Sequence, residues 1–345
     1  MSHPAILSIG TAVPDNYYDQ MEICSSLAPA FNSHRAPAVF RATEIEGRYC
    51  SIADLDWLVD NPSNGERMQA YMENAVPIGI RAIEQALENT ELTPADIDNF
   101  IVASCTGVDT PGLYVKIAEA MGMSPYLRRA TIVGMGCQAL MPSLFQASNA
   151  VVAHPQTKVL VLTLELCTLH FQHGRTLKNM LGSALFADGA SAAVIANGNS
   201  PGPRMIDSLT FSNYETQDEM AFNPGDRGYK IVLTGRIPDL VGQQVPPLVD
   251  KLLKRNNLDI TDVNHWVVHP GGMRILDCVE EGLRLTNNDL RYSRAVLKEH
   301  GNMSSATLLF VLKRTIEEEK PAAGEYGVML GFGPGLTIEA GLIQW

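Results

Sequence analysis

The sequence predicts an α/β protein made of two similar halves, whose buried strands form sheets covered by helices on both faces. Three observations lead to this prediction. Short apolar runs alternate with longer helical stretches along the chain. One strand unit is repeated 166 residues later. A segment rich in Gly, Pro and Asn at 197–205 lies between the two copies and marks the expected boundary.

Six apolar runs, each bounded by Gly, Pro or polar clusters, are the predicted strands. They are AILSIGTAVP (5–14), FIVASC (100–105), KVLVLTLEL (158–166), SAAVIA (191–196), HWVVH (265–269) and YGVMLGF (326–332). Apolar residues at helical spacing predict helices over 66–90, from Leu140 onward and over 305–316. Pro77 is expected to interrupt the first of these helices.

The stronger repeat aligns ADIDNFIVASCTG (95–107) with TDVNHWVVHPGG (261–272). Asp96 falls on Asp262 at a turn, and the strand that follows runs into a glycine turn in both copies. Duplication of a unit of 150–170 residues is the simplest explanation, although any two αβ units resemble each other to some extent.

A weaker repeat pairs FADGASAAVIA (186–196) with FGPGLTIEAGL (332–342). Both segments are predicted to form a Gly-rich hairpin turn followed by an apolar strand. We therefore divide the chain into an N-terminal half, 1–200, and a C-terminal half, 201–345.

Composition excludes several classes of protein. The 345 residues include 26 Lys and Arg against 38 Asp and Glu, a net charge of −12 that argues against nucleic acid and against a polybasic membrane anchor. None of the six cysteines forms a C-x-x-C pair, which favours a reducing cytoplasm over a disulfide framework or zinc site. The sequence contains no secretory signal and no apolar run of the ~20 residues that a membrane helix needs.

One cysteine is a candidate nucleophile. Cys137 stands in TIVGMGCQALMPSLF, just before an apolar helix whose N-terminus would favour the thiolate. A buried, inert cysteine is the alternative. His269 ends a predicted strand at a glycine turn, where α/β enzymes place reactive groups. Asn302 and Ser304, in GNMSSAT, precede a helix, and each is equally interpretable as its N-cap.

Several motifs together resemble the type III polyketide synthases, the chalcone synthase-like branch of the thiolase superfamily, and in particular its bacterial pyrone-forming members. They are GVDTPG (107–112), GCQAL (136–140), ALFADGA (184–190), HPGG (269–272), GNMSSAT (301–307) and GFGPGLTIEAGL (331–342). The resemblance implies a thiolase fold with five layers, αβαβα, and two duplicated halves. It also implies a homodimer and an active site between the halves.

The resemblance assigns Cys137 as nucleophile and His269 and Asn302 as its catalytic partners. A Cys137 thiolate paired with an imidazolium would take an acyl group from a thioester. The two partners would then stabilise the enolate of a decarboxylated malonyl thioester, which attacks the acyl group. This Claisen condensation requires no metal or redox cofactor. Coenzyme A or phosphopantetheine thioesters serve as substrates, and an α-pyrone is the expected product type.

The resemblance also implies a substrate pocket. Phe186 matches an aromatic residue at the entrance, and Gly333 lies in the glycine loop expected to shape the floor of the cavity. Three positions depart from the plant enzymes, because Ile231 replaces a second entrance Phe, His170 replaces a small hydroxyl residue and Thr110 replaces a Met. The predicted substrate-binding residues are Phe186, Ile231, His170, Thr110, Gly182, Gly333 and Ser304. His170 and His173 lack the further ligands of a metal site.

The cationic clamp for coenzyme A is reduced. Of the basic positions in the family, only Arg35 is retained, while Ala38 and Ala42 occupy the others. Arg41 and Arg274 are predicted to assist Arg35. An acyl-CoA starter extended with malonyl-CoA is therefore one hypothesis, and joining of two β-keto chains bound to acyl carrier proteins is another. A β-ketoacyl-carrier-protein synthase III-like enzyme, a thioester hydrolase and a non-catalytic scaffold are further alternatives.

Overall fold

The computed structural model describes residues 3–88, 90–197 and 202–345. Its strands are β1 (Ala5–Ala12), β2 (Asn16–Asp19), β3 (Gly47–Cys50), β4 (Asn99–Ala103), β5 (Arg128–Ile132), β6 (Val159–Leu166), β7 (Asp188–Ala196), β8 (Arg204–Ser212), β9 (Met220–Gly225), β10 (Gly228–Leu233), β11 (Val263–Val268), β12 (Tyr326–Gly333) and β13 (Thr337–Gln344).

The helices are α1 (Gln20–Ser26), α2 (Ala28–Phe31), α3 (Ala36–Arg41), α4 (Asp56–Val59), α5 (Asn64–Glu88), α6 (Leu113–Ala120), α7 (Leu140–Ala153), α8 (Leu177–Leu185), α9 (Ile237–Arg255), α10 (Met273–Leu283), α11 (Arg291–His300) and α12 (Thr307–Arg314). Short 3₁₀ turns precede several of these elements, and a π-helical turn, Thr315–Glu319, follows α12.

The main sheet has the order β11-β12-β13-β8-β1-β7-β6-β4-β5. The strands β5, β4, β6, β7 and β1 come from the first half, and β11, β12, β13 and β8 come from the second. In the described chain the two groups meet at one antiparallel pair, Ala5 with Arg204. Within each group the pairing is the same, since β4 and β11 run parallel to β6 and β12, which pair antiparallel with β7 and β13.

The repeat extends to a local turn. Before β4, Asp96 accepts a hydrogen bond from the backbone N–H of Thr93 at 2.8 Å. Before β11, Asp262 accepts the same bond from Asp259 at 2.7 Å. Each aspartate closes a capping box on a 3₁₀ turn that leads into its strand. The sequence match at these two positions therefore reflects one turn built twice.

The helices complete five layers. α7 packs on strands of the first group and on β13, while α12 packs on β7, β1 and β11, so the two helices form a central layer. Helices α5 and α6 cover the outer face of the first group, and α9 and α10 cover that of the second. Both faces of β6 and β7 are consequently buried. The predicted five-layered αβαβα fold with duplicated halves is confirmed.

Two local predictions are wrong. Pro77 does not interrupt its helix, because α5 continues from Asn64 to Glu88. Its apolar face is buried along its length, and this packing outweighs the ~3 kcal/mol that an internal proline costs. The Gly-rich segment at the start of 186–196 is not a hairpin turn, since α8 ends at Leu185 directly before it and Asp188 already begins β7. The boundary at residues 200 and 201 stays a prediction, because 198–201 lie outside the described residues.

Candidate active site

Cys137, His269 and Asn302 line one cavity between the two halves. Cys137 lies in the 3₁₀ turn Gly136–Gln138 that leads into α7. His269 directly follows β11, and Asn302 follows α11, two residues before the 3₁₀ turn Ser304–Ala306. The cavity wall is completed by Cys105, Thr106, Gly136, Cys167, Phe186, Met220, Ala221, Phe222, Ile231, Leu233, Gly271, Ile275, Ser304, Phe332 and Pro334.

The turn that carries Cys137 is fixed by the loop between β12 and β13. Gly136 has a φ of +57°, and a Cβ there would lie 2.6 Å from Cδ of Pro334. A Cβ at Gly333 would lie 2.6 Å from Cδ of Gln138 and 2.7 Å from the Met135 carbonyl oxygen. Glycine is therefore needed on both sides of this contact. Gly333 supports the turn of the cysteine, while its neighbours in the loop line the cavity.

The surroundings of the Cys137 thiol in the single chain disfavour its charged form. Burial raises its pKa to about 11, and the charge of Glu165 raises it further, while hydrogen bonds with Ser304 and Asn302 lower it. Loss of hydration thus opposes the thiolate that the helix N-terminus favours, and the thiolate stays a prediction. A base is needed to activate this thiol.

His269 is buried beside the cavity, with 1% of its surface exposed. Its backbone N–H donates to the Leu330 carbonyl at 2.8 Å, which fixes it at the end of β11. Both ring nitrogens lack a hydrogen-bond partner within the described ranges, and burial lowers the pKa of the ring to about 3. A Cβ at Gly271 would lie 3.9 Å from Nε2, so this glycine leaves that edge of the ring uncovered. The ring nitrogens are therefore not occupied by any described residue, and the burial of the ring disfavours its protonated form.

Asn302 is both a capping residue of the turn that follows it and part of the cavity wall. Its Oδ1 accepts a hydrogen bond from the Ser304 backbone N–H at 2.8 Å, which is the local turn expected of a capping residue. Its Nδ2 lies 3.4 Å from the Gly271 carbonyl oxygen, a long contact. The amide is thus held by its oxygen and presents its N–H donors at the cavity wall.

A buried acid beside the cavity is missing from the sequence-based prediction. Glu165, in β6, accepts hydrogen bonds from Ser305 Oγ at 2.6 Å and Thr106 Oγ1 at 2.7 Å. It also accepts the backbone N–H of Cys105 at 3.0 Å, and burial raises its pKa. The available signal is an acidic residue inside the apolar run KVLVLTLEL. Cys105, a second thiol in the cavity wall, has no comparable signal.

Phe186 and Ile231 lie between this cavity and a second one of mixed apolar and polar lining, and both residues, together with Cys167, line the two spaces. Gly182 lines the second cavity, where a Cβ would approach Cδ1 of Ile231 to 3.2 Å. Ile231 lies on the β9–β10 hairpin, which the apolar runs do not predict because its strands are only partly buried. These residues are therefore neighbours in space, as the resemblance implies.

His170 lines the second cavity and not the catalytic one. Its Nε2 lies 2.6 Å from the Thr106 carbonyl oxygen, and its Nδ1 accepts the Tyr229 backbone N–H at 3.1 Å. Its ring also stacks on that of Tyr229. Burial lowers its pKa to about 4, so it is a neutral wall residue with both nitrogens occupied. Within the described chain no group of three His, Cys, Asp or Glu residues could hold a metal.

Four predicted residues lie away from both cavities. Thr110 is exposed in a loop with a cis Thr110–Pro111 bond. Arg35, Arg41 and Arg274 are also exposed, and the Arg274 guanidinium lies 3.9 Å from the Asp239 carboxylate. The structure of the single chain does not bring these residues to the catalytic cavity, and their roles stay predictions.

The described helices include none that combines the length and apolar character needed to cross a membrane.

Comparison with known proteins identifies the class. The model for "FAE1/Type III polyketide synthase-like protein" matches residues 56–206, and that for "Chalcone and stilbene synthases, C-terminal domain" matches 211–344. The 3,5-dihydroxyphenylacetyl-CoA synthase of Amycolatopsis orientalis is 32% identical over 98% of this chain and 92% of its own length. The chain belongs to the type III polyketide synthase family, and its members are acyltransferases of the ketosynthase type.

Other relatives and solved structures agree. The "Alpha-pyrone synthesis polyketide synthase-like Pks18" of Mycobacterium tuberculosis is 30% identical over 98% of this chain and 90% of its own. PKS-I from the brown alga Ectocarpus siliculosus superimposes with a TM-score of 0.92 at 25% identity, covering 100% of this chain and 98% of that one. A fungal type III polyketide synthase, ORAS, gives 0.89 at 26% identity, with 99% of each chain covered. The predicted family and thiolase fold are confirmed.

Proposed function

We propose that the protein condenses an acyl-CoA starter with malonyl-CoA on Cys137 and releases a polyketide such as an α-pyrone. One observation carries the proposal: a thiol from the first half and an imidazole and an amide from the second line the same cavity. The name of the mycobacterial relative refers to α-pyrone synthesis, which supports this product class.

The first step loads the acyl group. His269 takes the proton of the Cys137 thiol as sulfur attacks the thioester carbonyl, and the imidazolium then returns that proton to the departing coenzyme A thiolate. Burial in the single chain opposes this proton transfer, because it raises the pKa of the thiol and lowers that of the ring, so charged groups of the bound substrate must offset it. The products are acyl-Cys137 and free coenzyme A.

The second step makes the carbon–carbon bond. The malonyl carboxylate leaves as carbon dioxide, and its bonding electrons form an enolate on the thioester. Hydrogen bonds from Asn302 Nδ2 and from a ring N–H of His269 stabilise the enolate oxygen. The enolate carbon attacks the acyl carbonyl and expels the Cys137 thiolate, which regains a proton from solvent. The β-ketoacyl product is returned to Cys137 and extended by a second malonyl unit in the same way, which gives a 3,5-diketo thioester of coenzyme A. Attack of its C5 enol oxygen on the thioester carbonyl then closes a pyrone and releases coenzyme A.

The carrier of the acyl group defines a second candidate. Ala38 and Ala42 stand on or beside α3, and neither Arg35 nor Arg41 lines either cavity. A weak clamp for coenzyme A favours acyl groups delivered by a carrier protein, and two such chains would then be joined. We rank this candidate second because coenzyme A is the usual carrier in the family.

Intact-protein mass spectrometry separates these candidates. The purified chain is mixed with one acyl group, either on coenzyme A or on a carrier protein, with Cys137→Ala as control. Rapid acylation from coenzyme A, lost in the variant, is the expected result. Acylation from the carrier protein alone would establish the chain-joining candidate. Absence of acylation from both donors, or equal acylation of the variant, would disprove the proposed nucleophile.

We further propose that the enzyme is a cytoplasmic homodimer. All six cysteines are free, which suits a reducing compartment. Light scattering after size exclusion should give twice the chain mass of 37.6 kDa, and a monomer that is fully active would contradict the dimer.

A further inference from the structure

A short parallel bridge joins the two halves next to Asn302. The Asn302 N–H donates to the Leu185 carbonyl at 2.9 Å, and the Ala187 N–H donates to the Asn302 carbonyl at 2.9 Å. These two bonds pair Asn302 with Phe186, which lines both cavities. The backbone position of the catalytic amide is therefore tied to that of the cavity wall.

Arg48, from β3, contacts both sides of this bridge. Its Nη1 donates to the Phe186 carbonyl. Its methylene groups lie against Gly301, where a Cβ would come within 2.8 Å of Arg48 Cδ. Gly301 has a φ of +73° and directly precedes Asn302. One side chain thus supports the residue before the catalytic amide and holds the carbonyl of its partner in the bridge.

A buried polar chain fixes Arg48 in turn. Its Nε donates to Gln20 Oε1 at 3.0 Å, and Gln20 Nε2 donates to Thr43 Oγ1 at 3.0 Å and to the Ala184 carbonyl at 2.8 Å. Arg48, Gln20 and Thr43 are all at most 4% exposed. Gln20 therefore fastens the same segment two residues before Phe186, and the guanidinium orientation is determined from two directions.

The charge of Arg48 is not neutralised by an ion pair. No carboxylate lies within 4.0 Å of it among the residues the structure describes, and its buried Nη2 lacks a hydrogen-bond partner there. Arg48 also lines the second cavity. Burial lowers the pKa of this guanidinium, and the charge of the buried Asp188 opposes that shift from a greater distance. A buried guanidinium without a direct ion pair is costly to desolvate, so its hydrogen bonds to the Phe186 carbonyl and to Gln20 hold it in place.

We infer that Arg48 is a positioning residue that sets the Asn302 amide for enolate stabilisation by clamping the Phe186–Asn302 bridge. The inference rests on the proposed function. It separates the two half-reactions, because malonyl decarboxylation depends on the Asn302 amide to stabilise the enolate, whereas in acyl transfer the amide only donates a hydrogen bond to the Cys137 sulfur. Loss of Arg48 should therefore impair decarboxylation far more than acylation.

The test measures Cys137 acylation by intact mass and malonyl-CoA decarboxylation by product chromatography in the same preparations. For Arg48→Ala and Arg48→Lys, decarboxylation should fall about 10- to 100-fold, the usual cost of a lost second-layer contact, and acylation much less. Gly301→Ala should act in the same direction, because its Cβ would displace Arg48 without changing any charge. This variant and Arg48→Lys decide the question if Arg48→Ala does not fold.

Arg67→Met is the matched control. Arg67 is also buried, donates Nη1 to a backbone carbonyl, that of Leu169, and packs Cδ against a glycine of positive φ, Gly228. It lies away from the Phe186–Asn302 bridge. Its variant should lower the melting temperature and leave the ratio of the two half-reactions unchanged.

Chemical rescue gives the sharpest readout. Arg48→Ala opens a space beside the second cavity, and added ethylguanidinium should restore part of the decarboxylation rate there. An Arg48→Ala protein with a normal ratio, a proportional loss like that of Arg67→Met, or no rescue would each overturn the inference. If the unchanged protein shows neither half-reaction, the proposed function itself has failed.

Discussion

The two halves of the molecule use the same backbone and different chemistry. Each has a capping-box turn, a strand that ends at the cavity, and a 3₁₀ turn leading into a central helix. In the repeat, Ala103 at the end of β4 corresponds to His269 after β11. The turn before α7 carries Cys137, whereas the turn before α12 begins with Ser304. Duplication supplied a symmetric frame, and single side chains divided the catalytic roles.

The strand pairing extends this comparison. Val102 and Val268 are equivalent in the repeat, and they pair with Leu162 of β6 and Leu330 of β12. Three residues further along each strand, Glu165 of β6 is therefore at the position equivalent to Gly333 of β12. The first half buries a carboxylate at this position, while the second uses a glycine so that its chain can pack against the Cys137 turn. Equivalent backbone positions thus serve electrostatics in one half and close packing in the other.

The largest expected effect tests which half supplies the nucleophile. Cys137→Ala should abolish covalent loading and reduce condensation on the order of 10⁴-fold or more, as for other nucleophiles that act with a base. Ser304→Ala, in the matching turn, should still be acylated, because its hydroxyl contacts the thiol without replacing it. Intact mass and product chromatography measure both effects. Acylation that is lost equally in Cys137→Ala and Ser304→Ala would contradict the assignment of the nucleophile to the first half.

Asn302→Asp tests the contribution of the second half to condensation. Aspartate keeps an oxygen that accepts the Ser304 N–H but removes the amide donors. Decarboxylation of malonyl-CoA should fall ~10²- to 10³-fold, the usual cost of one lost oxyanion donor, while acylation of Cys137 persists. Asn302→Gln serves as a control that keeps the amide and shifts its position. Unchanged decarboxylation in Asn302→Asp would disprove the role of the amide.

The pH dependence of alkylation tests the resting state of the pair. Because the pKa of Cys137 is raised to about 11 and that of His269 is lowered to about 3, both groups are neutral between these values. Iodoacetamide labelling of Cys137 should therefore rise about tenfold per pH unit from pH 7 to 9, as thiolate forms. A plateau beginning near pH 5 would instead show a thiolate–imidazolium pair. Peptide mapping distinguishes Cys137 from Cys278.

The smallest effect concerns the entrance. Arg35, Arg41 and Arg274, the predicted clamp for coenzyme A, are exposed, so we expect each to contribute a screened interaction worth ~0.2–1 kcal/mol with a phosphate group. Substituting any one by alanine should raise KM for acyl-CoA by no more than about fivefold at low salt and leave kcat unchanged. Steady-state kinetics at two salt concentrations measure this change. A large fall in kcat would show that the cation contacts the reacting groups.

Patterns in the sequence identify the residues best where short-range rules apply. Cys137, His269 and Asn302 each stand at a junction of glycine, strand end and helix start, and the structure places all three around one cavity. Sequence patterns indicate Arg48 and Glu165 less clearly. Arg48 is a single basic residue in a short segment that contains no apolar run. Its partners Gln20, Phe186 and Gly301 are distant along the chain. No local pattern reports such contacts.

The sequence by itself determined the family, the duplicated α/β plan and the three candidate catalytic residues, because hydrophobic periodicity, turn chemistry and motifs act within a few residues. Tertiary structure alone decided three other matters. It carried α5 through Pro77. It removed water from Cys137 and His269, which raises the pKa of the thiol and lowers that of the ring. It also placed Arg48 against Gly301 and the Phe186 carbonyl, next to Asn302, whose amide we propose to be catalytic. These outcomes depend on desolvation and on contacts between distant segments, which exist only after the chain has folded.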